Sequence, residues 1–179
     1  MGRSSYSFWL IPAEPLRTAL TGLVRSLAAE FGGPEFDPHL TLYVGPSTPE
    51  EARRSAELLA QAFEPAEIEA ERLEQSAIFS KTFFMRFRES NRARLMFEML
   101  RDHAVVPSTY AFNPHLSLLY KTMAESERKE LCLRSLESFG IALGRWRFDR
   151  VCAVEFEEPW TEKSARSYKV IADYKLARA

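Results

Sequence analysis

The chain has 179 residues, 46% of them hydrophobic and 27% charged, with a formal net charge of −1. That length suits one domain or two small lobes sharing a core, and the composition is that of an ordinary globular protein. A near-neutral balance excludes a large electrostatic footprint for duplex DNA or anionic lipid, while leaving room for a small basic pocket. Cys132 and Cys152 stand apart without metal-type spacing, so no zinc site is expected, and a disulfide is neither required nor excluded. The apolar run Phe8–Ile11 is too short for a signal peptide, and Tyr6 stands where a myristoylation signal at Gly2 needs Ser or Thr. No stretch approaches the apolar length of a membrane span. The expectation is a soluble, cytoplasmic protein.

In chain order, residues 5–11 are aromatic and apolar and end at Pro12, which reads as a first strand. Pro15 opens a helix whose face is marked by Leu16, Leu20, Leu23, Val24, Leu27 and Phe31, and Gly32-Gly33 stops it. A strand covers 36–44 and ends at Gly45-Pro46, with Pro38 near its start, where no ladder hydrogen bond is needed. Thr48-Pro49-Glu50-Glu51 is a helix start with a hydroxyl cap, a proline at the first position and a Glu three after the cap. That helix runs to about Phe63. Residues 66–75 and 81–88 read as strands joined across Ser76 to Ser80. A helix then runs from a Ser90 cap to about Ala104, and residues 105–110 connect it to a strand ending near Tyr120. A helix over 124–139, strands over 146–156 and 167–176, and a polar loop from Glu157 to Lys163 complete the chain.

Two heptapeptides organise this series. Phe36-Asp37-Pro38-His39-Leu40-Thr41-Leu42 returns as Phe112-Asn113-Pro114-His115-Leu116-Ser117-Leu118, with five of seven residues identical. The histidines are 76 residues apart, and the flanking helices and strands keep nearly that offset. This pattern predicts an internal duplication: an α+β fold of two halves, each an antiparallel sheet with outer helices, facing a central cleft as one bilobal domain over residues 1–179. The strands of 39–44 and 115–120 would meet at that cleft. Alternation along a strand puts His39 with Thr41, and His115 with Ser117, on one face, and the leucines on the other. Two imidazoles and two hydroxyls around one cavity suit phosphodiester cleavage: imidazole titrates near neutrality, and hydroxyls can hold phosphoryl oxygens without a metal. A histidine in a strand is more often structural, but here the same unit occurs twice in equivalent places. His103 has no repeat partner and reads as a helix-terminal residue.

These residues resemble the paired His-x-Thr/Ser signatures of the 2H phosphoesterase superfamily. Phe8-Trp9-Leu10-Ile11-Pro12 and the short chain look most like its cyclic phosphodiesterase branch, described in plants and yeast. The resemblance implies a metal-independent cyclic phosphodiesterase without cofactor, with His39 and His115 as acid–base pair. Thr41 and Ser117 would bind the phosphate. Its substrates would be 2′,3′-cyclic nucleotides or ADP-ribose 1″,2″-cyclic phosphate, opened by water to phosphomonoesters. In that branch a tyrosine three after the second hydroxyl also contacts phosphate. Tyr120 has that position, although strict alternation turns it away from His115. The implied partner is a small cyclic-phosphate nucleotide, with neither DNA nor membrane; a monomer is expected, although the sequence does not give the oligomeric state. The rival readings are an enzyme acting on RNA ends and a non-catalytic nucleotide-binding module. Trp9, Phe83 and Trp160 are candidates to stack on a base, against the commoner core role, and Lys81, Arg86 and Arg88 to lend positive potential, against simple surface solvation. The loop 157–163 is a candidate to cover the groove, though the sequence does not disclose its role.

Overall fold

Strand β1 (Ser4–Pro12) is buried from Tyr6 onward on both of its faces, and a computed structural model, which describes residues 4–133, 136 and 140–177, shows why. It lies between β2 (Leu40–Ser47) and β6 (Gly144–Phe156), antiparallel to both. Helix α1 (Leu16–Phe31) turns Leu20, Leu23, Val24 and Leu27 inward. It stops where Gly32 enters the left-handed region at φ 71° and donates its N–H to Ala28 O. Helix α2 (Pro49–Ala62) has the predicted capping box: Glu51 N–H donates to Thr48 Oγ1, and Thr48 N–H donates back to Glu51 Oε2 at 2.9 Å. The remaining elements are β3 (Ala66–Gln75), β4 (Phe83–Phe87), α3 (Asn91–Asp102), β5 (His115–Leu119), α4 (Glu125–Cys132), α5 (Glu162–Ser167) and β7 (Lys169–Lys175).

All pairings are antiparallel, in the order β1-β2-β5-β4-β3-β6-β7, with a further β1–β6 ladder that closes the first six strands on themselves. The two expected sheets are therefore joined into one hydrogen-bonded set. Exchanging β1 with β4, β2 with β5 and β3 with β6 maps this list of pairings onto itself; only β7 lies outside. Helix packing follows the same exchange, for α1 lies on β5 and α3 on β2. Leu40, Leu42, Leu116 and Leu118 are fully buried behind the two histidine strands, each giving roughly 2 kcal/mol of apolar burial.

Several boundaries differ from the sequence expectation. β2 begins at Leu40 rather than Phe36, because Pro38 has no N–H and the N–H of Asp37 is taken by the Tyr168 hydroxyl. It also continues through Gly45-Pro46. β2 meets β5 only at Leu40↔Leu116, so beyond that point it has a strand on one side alone, where proline is tolerated. Lys81 belongs to a 3₁₀ turn (Phe79–Lys81), not to β4. The six-residue α5, capped by Thr161, rises from the expected polar loop. The predicted helix end near Phe139 and the Gly2 terminus lie outside the described residues. Both cysteines are free, and no described helix is long and apolar enough to cross a membrane.

Candidate functional site

A matched irregularity in two ladders determines what faces the cavity. On β1, Phe8 pairs with Tyr43 and Trp9 with Thr41, which leaves Leu42 as an extra residue. On β4, Phe83 pairs with Leu119 and Phe84 with Ser117, which leaves Leu118 extra. Each is a β-bulge, where two residues oppose one and the alternation slips by a position. Consequently Thr41 and Val44 of β2, with His39 just before it, line the cavity on one side, and His115 and Ser117 of β5, with Tyr120 just after it, line it on the other. The bulge at Leu118 brings in Tyr120, which strict alternation turned outward.

The cavity has a volume of about 270 Å³. All five residues expected to act on a phosphate lie on its wall. His39 Nδ1 is 2.6 Å from Asp37 O, and His115 Nδ1 is 2.7 Å from Asn113 O. A carbonyl only accepts, so in both neutral rings Nδ1 carries the proton and Nε2 keeps its lone pair. The surroundings of the two rings then diverge. His39 stacks on Trp9, centroids 3.6 Å apart and 6° from parallel, whereas Phe84 meets His115 edge-on at 5.6 Å. Burial pushes both imidazoles down to about 4, and the Asp37 and Asn113 carbonyls pull their rings the other way; the Asp37 carboxylate adds to that pull on His39, while Lys81, His39 and Arg86 press His115 further down.

The hydroxyls sit beside these rings. Ser117 Oγ donates to Ser80 O at 2.6 Å, and Tyr110 donates its hydroxyl to the Thr41 carbonyl at 3.2 Å. Tyr120 is 3% exposed and stacks on Phe36 with centroids 3.7 Å apart, and burial raises its phenol further above its ordinary value.

The secondary candidates separate clearly. Trp9 and Trp160 form part of the wall, while Phe83 is in the core. Lys81 faces the cavity. Arg86 is held by Glu74 and by Asn113 Oδ1, and Arg88 by Glu69 and Glu71, so neither adds a free charge. His103 caps α3, with Nδ1 2.8 Å from Met99 O, as expected of a helix-terminal residue. From the 157–163 segment, Glu158 and Trp160 reach the wall. Sequence reasoning missed Ser7, which alternation places beside Trp9 and which accepts Trp9 Nε1–H at 2.6 Å. It also missed Tyr168, which no local signal connects to Asp37. Among the described residues, no group of three or more His, Cys, Asp or Glu is arranged to hold a metal.

No family model matches the chain. A cyclic phosphodiesterase from Arabidopsis thaliana is 29% identical over 125 residues, 69% of this chain and 69% of that protein. Among solved structures, E. coli LigT without ligand aligns with a TM-score of 0.60 at 18% identity, covering 99% of this chain and 100% of LigT. LigT complexed with 3′-AMP gives 0.58 at 17% identity with the same coverage, and a further phosphoesterase gives 0.62 at 15%, covering 98% and 99%. At these identities the structural likeness establishes the fold.

Proposed function

We propose that this chain, a cyclic phosphodiesterase-like member of the 2H phosphoesterase superfamily, hydrolyses 2′,3′-cyclic nucleotides or ADP-ribose 1″,2″-cyclic phosphate by two-histidine acid–base catalysis. The observation that carries this reading is the matched pair of imidazoles: each is tied at Nδ1 to the carbonyl two residues before it, and both line one cavity. The Arabidopsis relative named for this activity supports it.

The roles follow from the charged neighbours. His115 has Lys81 and Arg86 nearby, which favour the neutral ring, so it serves as base. His39 has the Asp37 carboxylate and the face of Trp9, both of which favour the imidazolium, so it serves as acid. An anionic phosphate entering the cavity raises the proton affinity of both rings, and His39 then takes from solvent the proton that the empty site lacks at neutral pH. His115 Nε2 then takes a proton from water, and the water oxygen attacks phosphorus. The bond from phosphorus to the leaving ribose oxygen breaks, and that oxygen takes the proton from His39 Nε2. A phosphomonoester remains, a 2′-phosphate in the nucleotide case, with His115 protonated and His39 neutral until solvent resets them. Thr41, Ser117 and Tyr120 hold the non-bridging oxygens. Ser117 exchanges its bond to the Ser80 carbonyl for a stronger one to the anion.

The test is hydrolysis of a 2′,3′-cyclic nucleotide in EDTA by wild type, His39→Ala and His115→Ala. Turnover by wild type and losses of at least ~10²-fold in each variant are expected. A wild type that binds the cyclic nucleotide and ADP-ribose 1″,2″-cyclic phosphate but turns over neither would overturn the enzymatic reading in favour of a binding module.

A further inference from the structure

We propose that Lys81 is a further ligand of the phosphoryl group, holding the charge that grows on its non-bridging oxygens; this rests on the reading that a cyclic phosphate occupies the cavity. Lys81 closes the 3₁₀ turn Phe79–Lys81 and lines the cavity together with His115 and Ser117. Three hydrogen bonds hold the turn in the empty site, and those from Ser76 and Thr82 remain when Ser117 turns to the anion. Ser117 Oγ donates to Ser80 O at 2.6 Å, Ser76 Oγ to Lys81 O at 2.8 Å, and Thr82 Oγ1 to Phe79 O at 3.0 Å. The backbone from which the ammonium extends is therefore tied directly to a predicted phosphate-binding hydroxyl.

The side chain itself has no partner. Lys81 is half-buried, yet makes no ion pair or hydrogen bond through its ammonium among the described residues. The two neighbouring arginines, Arg86 of β4 and Arg88 just after it, are both paired: Arg86 with Glu74, and Arg88 with Glu69 and Glu71. Burial and the nearby Arg86 both make its charge costly in the empty site. A cation withdrawn from water without a counter-charge is a standing cost that an anion sharing the cavity removes. A compact ammonium on a flexible stem suits an oxygen whose position and charge change between the trigonal bipyramid and the tetrahedral product. A cyclic phosphodiester carries one negative charge, and the attacked phosphorus carries more, so the interaction is stronger in the transition state than in the ground state.

The experiment compares wild type, Lys81→Met and Lys81→Arg in hydrolysis of a 2′,3′-cyclic nucleotide and in titrations with inorganic phosphate and orthovanadate, with thermal melting as the control for folding. Lys81→Met is expected to lose about 10- to 100-fold in turnover and to weaken vanadate binding by a similar factor, the scale of a hydrogen bond to a charged group. Lys81→Arg is expected to recover most of both at an unchanged melting temperature. Unaltered vanadate and phosphate affinity in a folded Lys81→Met would overturn the assignment of Lys81 even if wild type turns over substrate. A wild type that binds phosphate but does not hydrolyse the cyclic nucleotide leaves the titrations to decide on Lys81 alone, while a wild type that binds neither anion overturns both readings.

Discussion

Tyr168 donates its hydroxyl to Asp37 Oδ2 at 2.8 Å and accepts the Asp37 N–H at 3.2 Å, joining residues 131 positions apart. The carbonyl of the same Asp37 fixes His39 Nδ1, and the Tyr168 ring lies edge-on to Trp9 at 5.1 Å. Tyr168 is thus a positioning residue for the imidazole assigned as acid. In Tyr168→Phe the ring contact survives and both hydrogen bonds are lost, at a cost of about 1–2 kcal/mol in stability. The expected kinetic result is a kcat reduced about 10-fold with KM little changed, because the proposed phosphate ligands are untouched. A KM effect with intact kcat would show that Tyr168 acts on binding instead.

The difference between Asp37 and Asn113 breaks the symmetry of the two histidines, and leaving-group dependence tests it. A 4-nitrophenyl phosphodiester releases an anion that needs no proton. His39→Ala is expected to lose at least ~10²-fold on a 2′,3′-cyclic nucleotide but far less on the activated ester. His115→Ala is expected to lose about equally on both. The opposite pattern would exchange the two roles.

Both imidazoles tie stability to pH with the same sign. Each is held near 4 in the folded protein against an ordinary value near 6.5, so the unfolded chain binds the proton first as pH falls. Stability is therefore fully present above about pH 6.5, declines through the window from 6.5 to 4, and levels off below. For the buried His39 the loss amounts to about 3 kcal/mol. Urea midpoints measured across this window are expected to fall, and His39→Gln to fall less steeply. A slope unaffected by that substitution would place the titrating group elsewhere.

The central pair of strands was legible in the sequence because one seven-residue pattern occurs twice, and because period-two alternation brings His39 with Thr41 and His115 with Ser117. Caps were equally legible, since Thr48 with Glu51 and the glycine after Phe31 act within a few residues. Tyr120 was named from the resemblance, against strict alternation; the bulge that brings it to the cavity shifts register by one residue, and Leu118 carries no local mark of it. The split between Lys81 and the two arginines depended on the partner strand. Glu69, Glu71 and Glu74 of β3 take Arg86 and Arg88, and only the hairpin register decides which cation is left over. Tyr168 meets Asp37 through tertiary structure alone.

Close packing of a backbone, rather than turn geometry, explains Gly33. A Cβ there would lie 2.7 Å from the carbonyl oxygen of Tyr120, where the end of α1 crosses the end of β5. Gly33→Ala must push these two segments apart, and overpacking of this kind costs roughly 1–3 kcal/mol. Because the displaced residue is Tyr120, phosphate affinity is expected to weaken along with the melting temperature. Gly22 is the control. It lies mid-helix in α1 with nothing within 4 Å of an added Cβ, so Gly22→Ala is expected to stabilise the protein by about 0.5–1 kcal/mol and leave phosphate binding unchanged. A Gly33→Ala protein that melts lower but binds phosphate as tightly as wild type would free Tyr120 from its assigned role, since the shift would then have moved no ligand.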